Sequence, residues 1–129
     1  MGDVGSMFLG FMVAVMGIMA QESGVPLWVF SLVLGYYFID TGYTILRRAG
    51  RRENVLHGHR KHLYQRLSKL GWSHGKINLL TLFLSALFGA SALAFQYQLQ
   101  VAGAIIVGVA VIAVVAVIFW VEREDPTFE

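Results

Sequence analysis

Apolar positions fall along this chain in four long blocks, separated by polar stretches of very unequal length. The blocks cover residues 4–20, 27–46, 77–97 and 101–121. Each is about 17 to 21 residues long, the length at which an apolar helix crosses a bilayer. The expected fold is therefore all-α: one polytopic membrane domain over residues 1–129 with four transmembrane helices. Residues 21–26 form a turn with Gly24 and Pro26 as breakers, and Pro26 also suits the first turn of the next helix. Trp28 stands near one end of the second span as an interfacial anchor, and Arg47 and Arg48 close that span, because Arg at a bilayer centre costs about 2.5–3.5 kcal/mol. Residues 98–100 make a tight connection. Gly and Ala in the last span permit close helix packing, which makes a homodimer an open expectation. Residues 122–129 read as a short, frayed acidic tail.

The long polar stretch, residues 47–76, changes the picture most. It holds nine of the ten Lys and Arg residues and all four histidines, His57, His59, His62 and His74. Within it Leu63, Leu67 and Leu70 share one helical stripe, while His59, His62, Arg66 and Lys69 share the neighbouring one. This predicts a short amphipathic helix on the membrane surface, leucines down and basic groups to one side. Gly71 is placed to end that helix and Trp72 to hold its end at the interface.

Composition agrees with a membrane protein: 57% of residues are hydrophobic and 14% charged. The formal net charge is only +2 but is concentrated in one loop, which points to anionic lipid head groups or a phosphate-bearing substrate. Nothing resembles a nucleic-acid-binding module, so no nucleic-acid partner is expected. With no cysteine there is neither a disulfide framework nor a thiolate metal site. A signal peptide over the first span is disfavoured, because the flank carries Asp3 and no Lys or Arg.

Orientation follows from the basic residues. The 47–76 loop should be cytoplasmic, and the Lys- and Arg-free connections at 21–26 and 98–100 should face the other side. Four spans then place both termini in the cytoplasm and bring Asp3, Asp40 and the histidine loop toward one membrane face, that of the cell inner (plasma) membrane.

Three groups of residues are candidates for chemistry. Asp3, between Gly2 and Val4-Gly5-Ser6, is a carboxylate at a helix N-terminus, where free N–H groups favour anions and a carboxylate can hold Mg²⁺ against a phosphate; it also reads as an ordinary cap. Asp40 is an ionisable residue inside a span, a functional candidate by position, with Arg47 seven residues on as a structural partner. His57, His59 and His62 with Arg60 and Arg66 can bind phosphate oxygens, or form a solvated basic patch against anionic lipid.

The wording of these groups is familiar. MGDVGS at residues 1–6, DTGYTILRR at 40–48 and HRKHLYQRLSKLGWSH at 59–74 resemble, in order and membrane phase, the C-terminal part of the polyprenyl-phosphate N-acetylhexosamine-1-phosphate transferases (glycosyltransferase family 4). That family includes the muramyl-pentapeptide translocase. The H-R-K-H-L-Y-Q-R-L wording is closest to the branch that initiates O-antigen or capsule synthesis. The resemblance covers almost all of residues 1–98. It implies transfer of an N-acetylhexosamine 1-phosphate from a UDP-linked amino sugar to undecaprenyl phosphate, with Mg²⁺ as cofactor. By the same resemblance Asp3 is a catalytic aspartate and Mg²⁺ ligand. His59, Arg60 and His62 match the family's cytoplasmic histidine motif, expected to contact the diphosphate of the nucleotide sugar; Asp40 matches the aspartate of the following span, and His57, Arg66 and Asp40 are expected to join them in substrate binding. Relatives write the histidine motif H-x-H-H; here His57-Gly58-His59 is followed by His62, which leaves open which histidine does which job.

The family also carries further spans and a cytoplasmic acidic pair ahead of the point where this chain begins, and no such pair occurs here. The resemblance thus implies the C-terminal portion of an enzyme, inactive by itself. From a different class, the alternative is a non-catalytic four-span membrane protein whose basic loop binds anionic lipid or a partner protein.

Overall fold

A computed structural model describes residues 3–50 and 63–124 of the chain. Among the described residues there are six helices: α1 (Asp3–Glu22), α2 (Leu27–Val33), α3 (Gly35–Gly50), α4 (Leu63–Lys69), α5 (His74–Gln96) and α6 (Gln100–Glu124). Three of them, α1, α5 and α6, are long and apolar enough to cross a membrane, and α2 with α3 makes a fourth span if the pair is counted as one. The protein is an all-α membrane protein, as the four apolar blocks predict.

The second block is not one straight rod. Its two halves meet at an angle of 74° around Leu34. No proline is involved. The Leu34 N–H turns back to the Ser31 carbonyl, a tighter i→i+3 bond, and the Ser31 hydroxyl donates to the Leu27 carbonyl. Both features bend helices. Gly35 makes the new direction sterically feasible, since a Cβ there would overlap the Phe88 ring.

Three chain reversals use one device. After α1, α4 and α5, paired backbone bonds close a left-handed turn, with Gly24, Gly71 and Gln98 respectively at positive φ. At the end of α4, Trp72 N–H bonds to Leu67 O and Gly71 N–H to Ser68 O, the Schellman pattern. Gly71 thus ends the loop helix as its sequence position predicts.

The core lies between α3, α4, α5 and α6. Leu63 and Leu67 of α4 join Tyr36, Leu84, Phe88, Val114 and Val121 in it. The leucine stripe of the loop helix therefore faces its own protein rather than lipid, correcting the expectation of a helix lying on the membrane surface. Trp72 packs on Trp120, ring centroids 5.7 Å apart. By contrast α1 is exposed along nearly its whole length, with Val4, Met7, Phe8, Phe11 and Met19 all open. It meets α2 where Gly17 lets the Phe30 ring approach its backbone. In a bilayer such open apolar surface faces lipid or other membrane helices.

The chain ends of the spans also differ from the pattern-based limits. The third span begins at His74 and so takes in His74 and Lys76. The fourth continues to Glu124, so the first three residues of the supposed frayed tail are helical.

Candidate functional site

At the end of the bundle where α3 and α6 terminate and α4 docks, five polar side chains from three helices come together. Asp40 is built on the second turn of α3, on the face turned to α4, and is 6% exposed. Its Oδ1 accepts the Leu63 N–H at 3.1 Å. Leu63 opens α4, and the first N–H groups of a helix have no partner within it. A carboxylate from another helix thus does here what an N-cap side chain does elsewhere, with a charge suited to the helix N-terminus. Beside Asp40 lies a cleft of about 310 Å³, walled by Tyr36, Tyr37 and Tyr64 with Thr41 and Thr81.

Glu122, in the last turn of α6, is the hub of the second group. It accepts the Tyr43 hydroxyl and pairs with Arg47, both from α3. Arg47 Nη2 also reaches its other oxygen at 3.3 Å. From α4, Arg66 Nη1 comes within 3.1 Å of the first oxygen, and Arg66 Nη2 donates to the Val121 carbonyl at 3.5 Å. Arg66 is 2% exposed. Charge-assisted bonds of this kind, in a site partly shielded from water, are the stronger class of hydrogen bond.

Of the residues singled out in the sequence, the structure brings Asp40 and Arg66 to the same end of the molecule, Asp40 against Leu63 of α4 and Arg66 on α4 itself. Arg66 does not stand on an open basic stripe; its guanidinium is turned inward onto Glu122. Asp3 is the first residue of α1; its side chain lies outside the described part, as do His57, His59, Arg60 and His62 in their entirety. Among the described residues no three His, Cys, Asp or Glu side chains gather into a metal-binding group.

Glu122 and Tyr43 were not anticipated. Glu122 is the first charge after a fully apolar span, so it reads as the start of a solvated tail. The clue lay in Arg66, which stands three residues after Leu63 and next to Leu67, on the helix face that is buried, where a guanidinium needs an acid beside it.

Over 99 residues the chain is 27% identical to a protein of Bacillus subtilis (strain 168) described as a "Probable undecaprenyl-phosphate N-acetylglucosaminyl 1-phosphate transferase". The chain is similar to a phosphoglycosyl transferase. The matched stretch is 74% of this chain and 28% of that relative's length. No family model matches the chain, and no solved structure does. The relative's description supports the family named from the three motifs.

Proposed function

We propose that this chain is the C-terminal part of a phosphoglycosyl transferase of cell-envelope polysaccharide synthesis, in the branch that starts O-antigen or capsule chains. Its donor is a UDP-linked amino sugar and its acceptor undecaprenyl phosphate in the plasma membrane, with the chemistry on the cytoplasmic side. The observation that carries the proposal is the similarity to the Bacillus subtilis relative over 99 residues.

In the proposed reaction an oxygen of the lipid phosphate attacks the sugar-bearing phosphorus of the donor. The bond from that phosphorus to the bridging oxygen breaks, UMP leaves with that oxygen, and the lipid carries the sugar through a new diphosphate. Such transfers depend on positioning and on neutralising phosphate charge. Asp3 is the proposed catalytic carboxylate. It supplies one of the one or two carboxylates with which Mg²⁺ is held alongside substrate phosphates. When bound, the ion supplies Lewis acidity and orientation. His57, His59, Arg60 and His62 are the proposed contacts to the donor diphosphate. Asp40 lies beside the cleft and holds Leu63, the first described residue of α4, so its proposed part is to place that helix. Arg66 acts through the same helix, its guanidinium being committed to Glu122.

The test is Asp3→Asn made in the native gene. Membranes carrying the parent protein, given UDP-N-acetylglucosamine and undecaprenyl phosphate with Mg²⁺, should form a diphosphate-linked lipid and release UMP. The variant should lose at least about a hundredfold, the scale of losing one electrostatic catalytic contact. Equal turnover by parent and variant would remove Asp3 from the mechanism. No lipid product from the parent with any UDP-amino sugar would remove the proposal.

A further inference from the structure

The cleft beside Asp40 has a lining that the transferase reading leaves without a ligand. Its volume of about 310 Å³ stands at the small end for small-molecule sites, which run from about 300 to 1,000 Å³. Tyr36 and Tyr37 of α3 and Tyr64 of α4 line it, with Thr41, Thr81 and Asp40. Among these described lining residues Asp40 alone carries a charge. The Tyr36 and Tyr37 rings lie 5.2 Å apart, steeply inclined at 72°, and Tyr64 brings a third ring from another helix. Tyr36 and Asp40 are buried, whereas Tyr37 and Tyr64 are about half-exposed. The cleft thus has a closed floor that holds the carboxylate and an open aromatic mouth.

We propose that this cleft binds a small organic cation, a quaternary ammonium group of about choline size. Ring faces attract cations through their quadrupole, and clustered aromatic side chains are the usual recognition device for quaternary ammonium groups. The Asp40 carboxylate supplies the countercharge. Its Oδ1 stays on the Leu63 N–H, because a quaternary ammonium needs the charge and no hydrogen bond. The same carboxylate repels an anion. A hard divalent ion suits the cleft poorly: it takes six or more oxygen ligands, counting its retained water, and a ring face offers none. The site is independent of the transferase reading, whose donor phosphates are anionic. A free choline-like molecule and the choline head group of a lipid carry the same chemistry, and the test separates them.

The full chain is purified in an uncharged detergent, and choline binding is followed by saturation-transfer NMR of its methyl groups. The matched probe is the neutral isostere of choline, in which carbon replaces nitrogen. The parent should bind choline about tenfold more tightly than the isostere, the scale of a desolvated cation–ring contact. Tyr37→Leu and Tyr64→Leu each remove one ring and should weaken choline about fivefold, with the isostere nearly unchanged. Asp40→Asn keeps an acceptor for Leu63 and removes the charge, so it should cancel the preference. Tyr97→Leu, at the exposed end of α5 and outside the cleft, should bind as the parent does. Should Asp40→Asn fail to fold, the two half-exposed tyrosines decide. Phosphatidylcholine and phosphatidylglycerol are compared on the same variants by native mass spectrometry. Choline binding assigns the site to a free molecule; preferential phosphatidylcholine binding with choline inert assigns it to a lipid head group. Either upholds the ammonium site where the tyrosine variants lose it. Neither probe binding, choline bound no better than its isostere, or binding undiminished in both tyrosine variants would overturn the site.

Discussion

Asp40 shows how one side chain can be both structural support and candidate chemistry, and how the two separate. Its Oδ1 takes the Leu63 N–H, the first described donor of α4. Asp40→Ala removes that acceptor beneath a buried helix start, a loss of about 1–3 kcal/mol. Asp40→Asn keeps an oxygen in the same place and removes only the charge. The expected result is a lowered melting midpoint for Asp40→Ala and a nearly parental one for Asp40→Asn, both read in detergent. If Asp40→Asn also keeps the proposed transferase turnover in the native protein, the residue is a support; a stable variant without that turnover would put its charge in the proposed chemistry. Glu122 calls for a different pair of variants. Removing one partner of a buried pair leaves the other charge uncompensated, and 3–5 kcal/mol is the usual scale for full burial. Glu122→Met leaves Arg66, 2% exposed, and Arg47, 12% exposed, without their carboxylate, so it should cost about 3–5 kcal/mol. The double variant Glu122→Met with Arg66→Met should be more stable than Glu122→Met alone. Additive losses in that thermal series would mean that the two residues do not act as a pair.

At the scale of elements, the bend at Leu34 and the docking of α4 are what the hydrophobic pattern did not reveal. Block lengths and polar breaks were sufficient for the apolar helices, since a membrane span is specified by composition over about 20 residues. The same averaging hides a break inside a span: residues 27–46 stay apolar across Leu34, and the bend depends on Gly35 meeting Phe88, 53 positions away. Likewise the stripe of Leu63 and Leu67 is visible in sequence, but lipid and a protein core are equally apolar partners for it. Only the burial of Arg66 beside them distinguishes the two. Gly71 was legible because a left-handed helix end demands a residue type locally. Gln98 was not, because it fills the same role without being glycine, at φ 62°. That yields a prediction for the α5–α6 connection: Gln98→Gly should raise the melting midpoint by the equivalent of about 0.5–1 kcal/mol, the left-handed penalty less the extra freedom of glycine when unfolded. Gly35→Ala should act in the opposite sense, by about 1–3 kcal/mol of overpacking against Phe88, and Phe88→Leu in the same chain should recover part of it. A Gly35→Ala protein as stable as its parent would show that the α2–α3 bend does not rely on that close approach.

For the whole molecule, the ion cluster constrains topology independently of any charge rule. Glu122 lies in the last turn of α6, Arg47 stands before residues 51–62 of the basic loop and Arg66 after them, and both arginines contact Glu122. The end of the last helix and both flanks of the loop must therefore lie on the same side of the membrane, whichever side that is. The positive-inside rule, applied to the excess of Lys and Arg in residues 47–76, makes the cytoplasm the expected side. Single cysteines test the two statements separately, because the chain has none of its own. Ser68→Cys on exposed α4 and Glu124→Cys at the end of α6 should react with an impermeant maleimide only after cells are opened. Ser23→Cys, in the exposed turn after α1, should react in intact cells. Opposite accessibility of positions 68 and 124 would contradict the packed bundle itself. Accessibility reversed at all three positions would leave the fold intact and invert only its orientation, removing the proposed cytoplasmic chemistry, since the nucleotide-sugar donor is made on that side.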